Sequence, residues 1–149
     1  MNALQISEII RNYAQGISYL AALIAAWLAL LAYRKNIRLE RARWLAQLYE
    51  KYYEQSSLKK VRDVLDRESS DSDVVKNIVQ KESAEFTDYL NFFEYMAYLV
   101  KQKQLESSDV MALFRFYLND LKKHGIVSEY VRKPSSGFEN LKDWLAKGL

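Results

Sequence analysis

Charged residues are absent from Asn12 to Tyr33, a run closed by Arg11 on one side and Arg34 on the other. As a helix rising about 1.5 Å per residue, it is long enough to cross a hydrocarbon layer of about 30 Å, and nothing after Arg34 is apolar enough to do so. A helix apolar on every side needs lipid or protein all round, and a chain of 149 residues has little protein to spare. The run therefore reads as one transmembrane helix, with Tyr19 and Tyr33 at the two interfacial levels and Trp27 deeper than an interfacial anchor. A cleaved signal peptide fits less well. Only Arg11 stands in for a positive n-region, the apolar stretch exceeds a usual h-region, and no clear small-x-small site follows it.

Past the anchor, apolar residues recur at three- and four-residue steps nearly throughout. A first helix continues out of the membrane to Gln55, with Ile37, Arg41, Trp44, Leu45, Leu48 and Tyr52 on one side, because no glycine or proline interrupts it. Ser56 and Ser57 offer a break and a cap for Leu58 to Arg67, whose Leu58, Val61, Val64 and Leu65 share a face. The polar string Glu68 to Asp73 is a loop that caps a short helix near Val74 to Gln80. The strongest core candidate runs from Ala84 to Gln104, where Phe86, Tyr89, Leu90, Phe93, Met96, Ala97 and Val100 form the stripe. Ser107, Ser108 and Asp109 cap Val110 to Lys123, with Leu113, Phe114, Tyr117, Leu118 and Leu121 facing inward and Gly125 as a left-handed terminator. After an irregular Ile126 to Pro134, Ser136 and Glu139 read as a capping box opening a last helix with Phe138, Leu141, Trp144 and Leu145. The predicted fold is all-α: an anchor over 1–34, a basic juxtamembrane helix over 35–55 and a helical domain over 56–149.

Charge gives the anchor a direction. Arg34, Lys35, Arg38, Arg41 and Arg43 crowd one end against Glu40, while the other carries Arg11, Glu8 and the amino terminus, so the positive-inside rule puts the C-terminal domain in the cytoplasm and the protein in the inner membrane. Most of the net charge of +3 lies at that membrane edge, which favours anionic headgroups over duplex nucleic acid. With no cysteine and a single histidine, disulfides, thiolate zinc sites and His-rich metal centres are excluded. No nucleophile elbow, P-loop, HExxH or dinucleotide fingerprint is present, so neither catalytic residues nor a cofactor are expected. Glu94, set among aromatic residues, is expected to pair with Arg41 or Arg43 of the first helix.

Two patterns point to function. Ser18, Ala22, Ala25, Ala29 and Ala32 recur at alternating steps of four and three and draw a small-residue seam along the membrane helix, which lets helix backbones approach closely in lipid and makes a homo-oligomer the expected state. Nearer the C-terminus, Lys122, Lys123, His124, Arg132 and Lys133 surround Tyr130 and precede Ser136 at a helix start. Basic groups, a stacking ring and free helix N–H groups suit an anionic nucleotide, and Lys59, Lys60 and Arg62 form a second basic group. Solvated charges at helix ends remain the plainer reading of both.

The layout resembles a family of small bacterial membrane-anchored helical proteins of unknown function. The resemblance rests on the N-terminal span, the basic helix from Arg38 to Tyr53, the run Asn91-Phe-Phe-Glu94 and the element Gly137-Phe-Glu-x-Leu141. In size and layout it also resembles the membrane-anchored accessory effector of type III CRISPR systems. That second resemblance implies an oligomer whose cytosolic domain binds cyclic tetra-adenylate in antiviral defence and whose membrane part acts on the bilayer, although no binding motif matches residue by residue. The competing expectation is a membrane-tethered scaffold that recruits a protein partner and senses no nucleotide.

Overall fold

The structure is a computed structural model and describes residues 3–81 and 83–146, without the side chains of 3–10, 12 and 14. Asn12, Glu8 and the amino terminus, used above to bound and orient the anchor, lie outside that description as side chain or terminus. Helices follow one another as α1 (Ala3–Glu54), α2 (Ser56–Arg67), α3 (Asp73–Gln80), α4 (Ala84–Lys101), α5 (Ser107–Lys123), α6 (Gly125–Arg132) and α7 (Glu139–Ala146), with a 3-10 turn at Pro134–Ser136. Among the described residues there is no strand. The chain divides into two compact units, Met1–Ala42 and Arg43–Leu149.

In the first unit α1 is unbroken. It is long and apolar enough to cross a membrane: its most apolar 18-residue window has a mean hydropathy of 1.9, and none of that window is buried by protein. Leu20, Leu23, Ile24 and Trp27 lie exposed along it, as does the whole seam of Ser18, Ala22, Ala25, Ala29 and Ala32.

The second unit is a helical bundle around α4. Phe86, Tyr89, Leu90, Phe92, Phe93, Met96, Ala97 and Leu99 are all buried, with α2 and α7 both packed on α4, and the strip left exposed includes Asp88, Asn91, Tyr95 and Tyr98. The end of α1 supplies Tyr52, fully buried, with ring centroids 5.2 Å from Phe92, 5.4 Å from Phe114 and 4.7 Å from Tyr117. Its hydroxyl lies 3.1 Å from that of Tyr89, and burial pushes both phenols well above the ordinary tyrosine range. Such aromatic contacts, edge-on or tilted, add to the area term and fix one packing arrangement.

The predicted helix ends hold to within a few residues, but the caps expected of Ser56 and Ser57 and of Ser107, Ser108 and Asp109 do not form: these residues lie inside α2 and α5, whose N-cap residues Gln55 and Glu106 make no side-chain capping bond. Two further corrections concern α6 and α5. Residues 125–132 are helical rather than irregular: Val127 and Val131, four apart, are buried and define the inner face of α6. On α5 the buried stripe is Val110, Met111, Phe114, Leu118 and Leu121, leaving Leu113 exposed and Tyr117 half-buried. Ser72 and Ser83 cap α3 and α4 by accepting from Val75 N (3.4 Å) and Phe86 N (3.2 Å).

Candidate functional site

Only His124, in an extended conformation, separates α5 from α6, and that corner consumes much of the predicted basic site. Gly125 does not terminate α5 in a left-handed conformation; it opens α6, and a Cβ there would lie 3.0 Å from Asp71 Oδ2. Close approach, not a positive φ, is what asks for glycine. Asp71 itself takes φ +58°, a region aspartate tolerates better than most residues, and its Oδ1 accepts the N–H of Ile126 at 2.9 Å, satisfying a helix-start donor. His124 is fully buried. Its Nδ1 accepts from Asp71 N (3.4 Å), so Nε2 carries the proton that is donated to Leu65 O at 2.9 Å. Lys123 Nζ donates to Glu68 O (3.4 Å), and Ser70 Oγ donates to Lys123 O. Lys123 and His124 thus tie the 68–73 loop to the α5–α6 corner. Asp120, buried one turn before His124, has its carboxyl pushed up by desolvation, with Asp66 adding to the effect and Lys123 opposing it.

The start of α7 is equally committed. The capping box expected of Ser136 and Glu139 does not form, because Ser136 Oγ donates back to Val131 O (3.0 Å) and Lys133 O (2.7 Å), and Gly137 turns the chain at φ +76°. The cap comes from α4 instead. Glu94 Oε1 accepts from Asn140 N (3.1 Å) and Nδ2 (2.6 Å), and Oε2 accepts from Leu141 N (2.7 Å). A carboxylate already sits where a phosphate would sit on the helix N-terminus, so the anion site inferred there is filled by the protein's own side chain. The ion pair that the sequence suggested for Glu94 gives way to this cap.

What remains of the predicted site is split by α6. With 3.6 residues per turn, Ser128, Val131 and Arg132 share one side of the helix, while Ile126, Glu129, Tyr130 and Lys133 share the other. On the second side an opening of about 340 Å³ is lined by Val79, Gln80 and those four residues. Tyr130 there packs against Phe86 (5.4 Å between centroids) and Phe138 (6.2 Å), with Lys133 Nζ 5.8 Å over its ring. On the first side Lys122, Ser128, Val131 and Arg132 meet Lys142, Leu145 and Ala146 of α7 around a cleft of about 250 Å³. Three cations line it, Arg132 and Lys142 exposed and Lys122 half-buried, and among the described residues no carboxylate does. Among the described residues none of the three forms an ion pair.

Lys142 and Ser128 were missed in the sequence. Reading 125–132 as helical would have set Ser128 beside Arg132, and the three-residue step from Lys142 to Leu145 places that lysine at the rim of the α7 stripe. The second basic group also dissolves. Arg62 Nη1 donates to Tyr52 O (3.0 Å) and its guanidinium lies 5.2 Å and 4.8 Å from the Tyr52 and Tyr53 ring centroids, so it closes the end of α1. Lys60 pairs with Glu85 at 3.5 Å on the surface, and Lys59 is exposed.

Residues 19–115 match the model of a family described as a domain of unknown function, DUF4760, and the chain belongs to that family. The match agrees with the helical layout and supports no relation to a CRISPR effector. No curated protein and no solved structure matches the chain.

Proposed function

We propose that this DUF4760 protein is a membrane-anchored receptor whose helical domain binds a phosphate-bearing ligand in the cleft of Lys122, Arg132 and Lys142. One observation carries the reading: three cations from three helices line one cleft, and among the described residues no carboxylate does. Like charges held together cost free energy unless an anion neutralises them, and charge-assisted bonds from lysine and arginine are the strong ones. In this reading the basic end of α1 faces the cytoplasm, the domain is cytoplasmic, and the small-residue seam joins copies in the inner membrane. Cyclic oligoadenylate, which the CRISPR resemblance implies, is a multi-nucleotide phosphodiester and enters the test as the alternative to a single-phosphate ligand. Tyr130 lies across α6 from the cleft, so base stacking on it is not part of this proposal.

The test is calorimetry on the full chain in phosphatidylcholine nanodiscs, titrated with pyrophosphate and with cyclic oligoadenylates. Binding that weakens with salt and falls by more than about tenfold in Arg132→Glu, but is unchanged in Lys59→Glu, supports the receptor. Absence of binding by every anion overturns it. A recruiting module is then the better reading, favoured by Phe116, 56 % exposed beside exposed Leu113 on the outer face of α5.

A further inference from the structure

Resting on that receptor reading, we infer that the cleft is built for a phosphomonoester dianion rather than for a phosphodiester. Charge comes first. A phosphodiester brings one negative charge, which leaves two of Lys122, Arg132 and Lys142 unmatched in the same cleft, whereas a phosphomonoester brings about −1.5 to −2 near neutral pH.

The other donors that a diester-reading site uses are missing. Ser128 Oγ gives its proton to Leu121 O at 3.1 Å and offers the cleft only lone pairs. At the start of α6 the N–H of Ile126 is held by Asp71, and at the start of α7 those of Asn140 and Leu141 are held by Glu94. Binding therefore rests on the number of charges, not on a cradle of backbone N–H groups shaped around one phosphate.

Size and lining agree. About 250 Å³ lies below the roughly 300–1,000 Å³ of a typical small-molecule site, so the cleft takes one phosphate with a small substituent rather than several nucleotides. Among the described residues no aromatic lines it; Val131, Leu145 and Ala146 give an apolar floor on which an aliphatic or small aryl group can rest. The same dianion is found on a free phosphorylated metabolite and on a monoester lipid headgroup.

The matched probes are phenyl phosphate and its diester, methyl phenyl phosphate, titrated by calorimetry into the full chain in phosphatidylcholine nanodiscs. At pH 7.5 the monoester should bind about tenfold tighter than the diester, the value of one additional charge-assisted contact. At pH 5, below the second phosphate pKa of about 6, that preference should collapse to roughly twofold. Lys142→Gln should erase the preference while sparing helicity. Adding phosphatidic acid to the nanodisc should weaken phenyl phosphate binding if the dianion comes from lipid and leave it unchanged if it comes from solution, and either result supports the dianion. Equal affinity for the two probes, both lost in Arg132→Gln, overturns the dianion inference and leaves the receptor standing. Failure of both probes, of pyrophosphate and of cyclic oligoadenylates overturns the receptor as well.

Discussion

The corner between α5 and α6 and the cleft formed by α5, α6 and α7 draw on the same stretch of basic sequence, yet they use it in opposite ways. At the corner, Lys123 and His124 donate to the carbonyls of Glu68 and Leu65 and hold the 68–73 loop in place. In the cleft, Lys122, Arg132 and Lys142 meet no acidic partner among the described residues. The difference lies in the backbone around them. A helix end leaves carbonyls and N–H groups without intrahelical partners, and a nearby side chain of the right kind is drawn into satisfying them. Arg62 shows the same fate at the α1–α2 corner. A basic residue half a turn away, on a flank already hydrogen-bonded along the helix, keeps its charge for something else.

The strongest way to break this contrast is His124→Ala. The ring satisfies Leu65 O and Asp71 N in a fully buried setting, and each group left without a partner costs about 1–3 kcal/mol. A loss of roughly 3 kcal/mol in chemical denaturation of the second unit's helices is expected, with phosphate binding by the remaining folded protein intact. Unchanged stability together with lost binding would place His124 in the ligand site and erase the distinction between corner and cleft.

Helix identity and the aromatic core were legible because their signals are local. The unbroken apolar run, the stripe from Phe86 to Val100 and the stripe from Leu58 to Leu65 follow from spacing alone. The short α6 escaped because Gly125 begins it and its inner face shows only Val127 and Val131, too little periodicity over eight residues. The caps escaped for another reason. Asp71 lies 55 residues from Ile126, and Glu94 lies 46 from Asn140, so each helix start is closed by a residue that only the tertiary fold brings near. The cleft needed both of these placements, and so only Lys122 and Arg132 of its three cations were in view.

Glu94→Ala tests the link between cap and cleft. It strips the acceptors from Asn140 N and Leu141 N and removes a negative charge from the positive end of a helix, which should cost about 2 kcal/mol. Hydrogen exchange should rise first across α7, and because α7 carries Lys142, ligand affinity should fall with it. Glu94→Gln keeps an acceptor and should lose roughly 1 kcal/mol. If α7 stays as protected in the alanine variant as in the wild type, the helix is held by Leu141 and its neighbours alone, and Glu94 has no part in shaping the cleft.

The smallest effect is the most discriminating. Replacing Lys122, Arg132 or Lys142 by glutamine removes no ion pair among the described residues, so stability should change by less than about 0.5 kcal/mol, the range of ordinary surface substitutions. The sign should be positive. Each substitution relieves repulsion between like charges across the cleft, and the gain should fade as salt shortens the screening length from about 10 Å at 0.1 M to about 3 Å at 1 M. Thermal melts of the three variants at low and high salt check this directly. A variant that melts well below the wild type at both salt concentrations would show that its cation supports the bundle, as Arg62 supports the end of α1. The cleft would then be one more corner. A slight, salt-sensitive stabilisation in all three is what like charges lining one cleft, with no acidic partner among the described residues, would give.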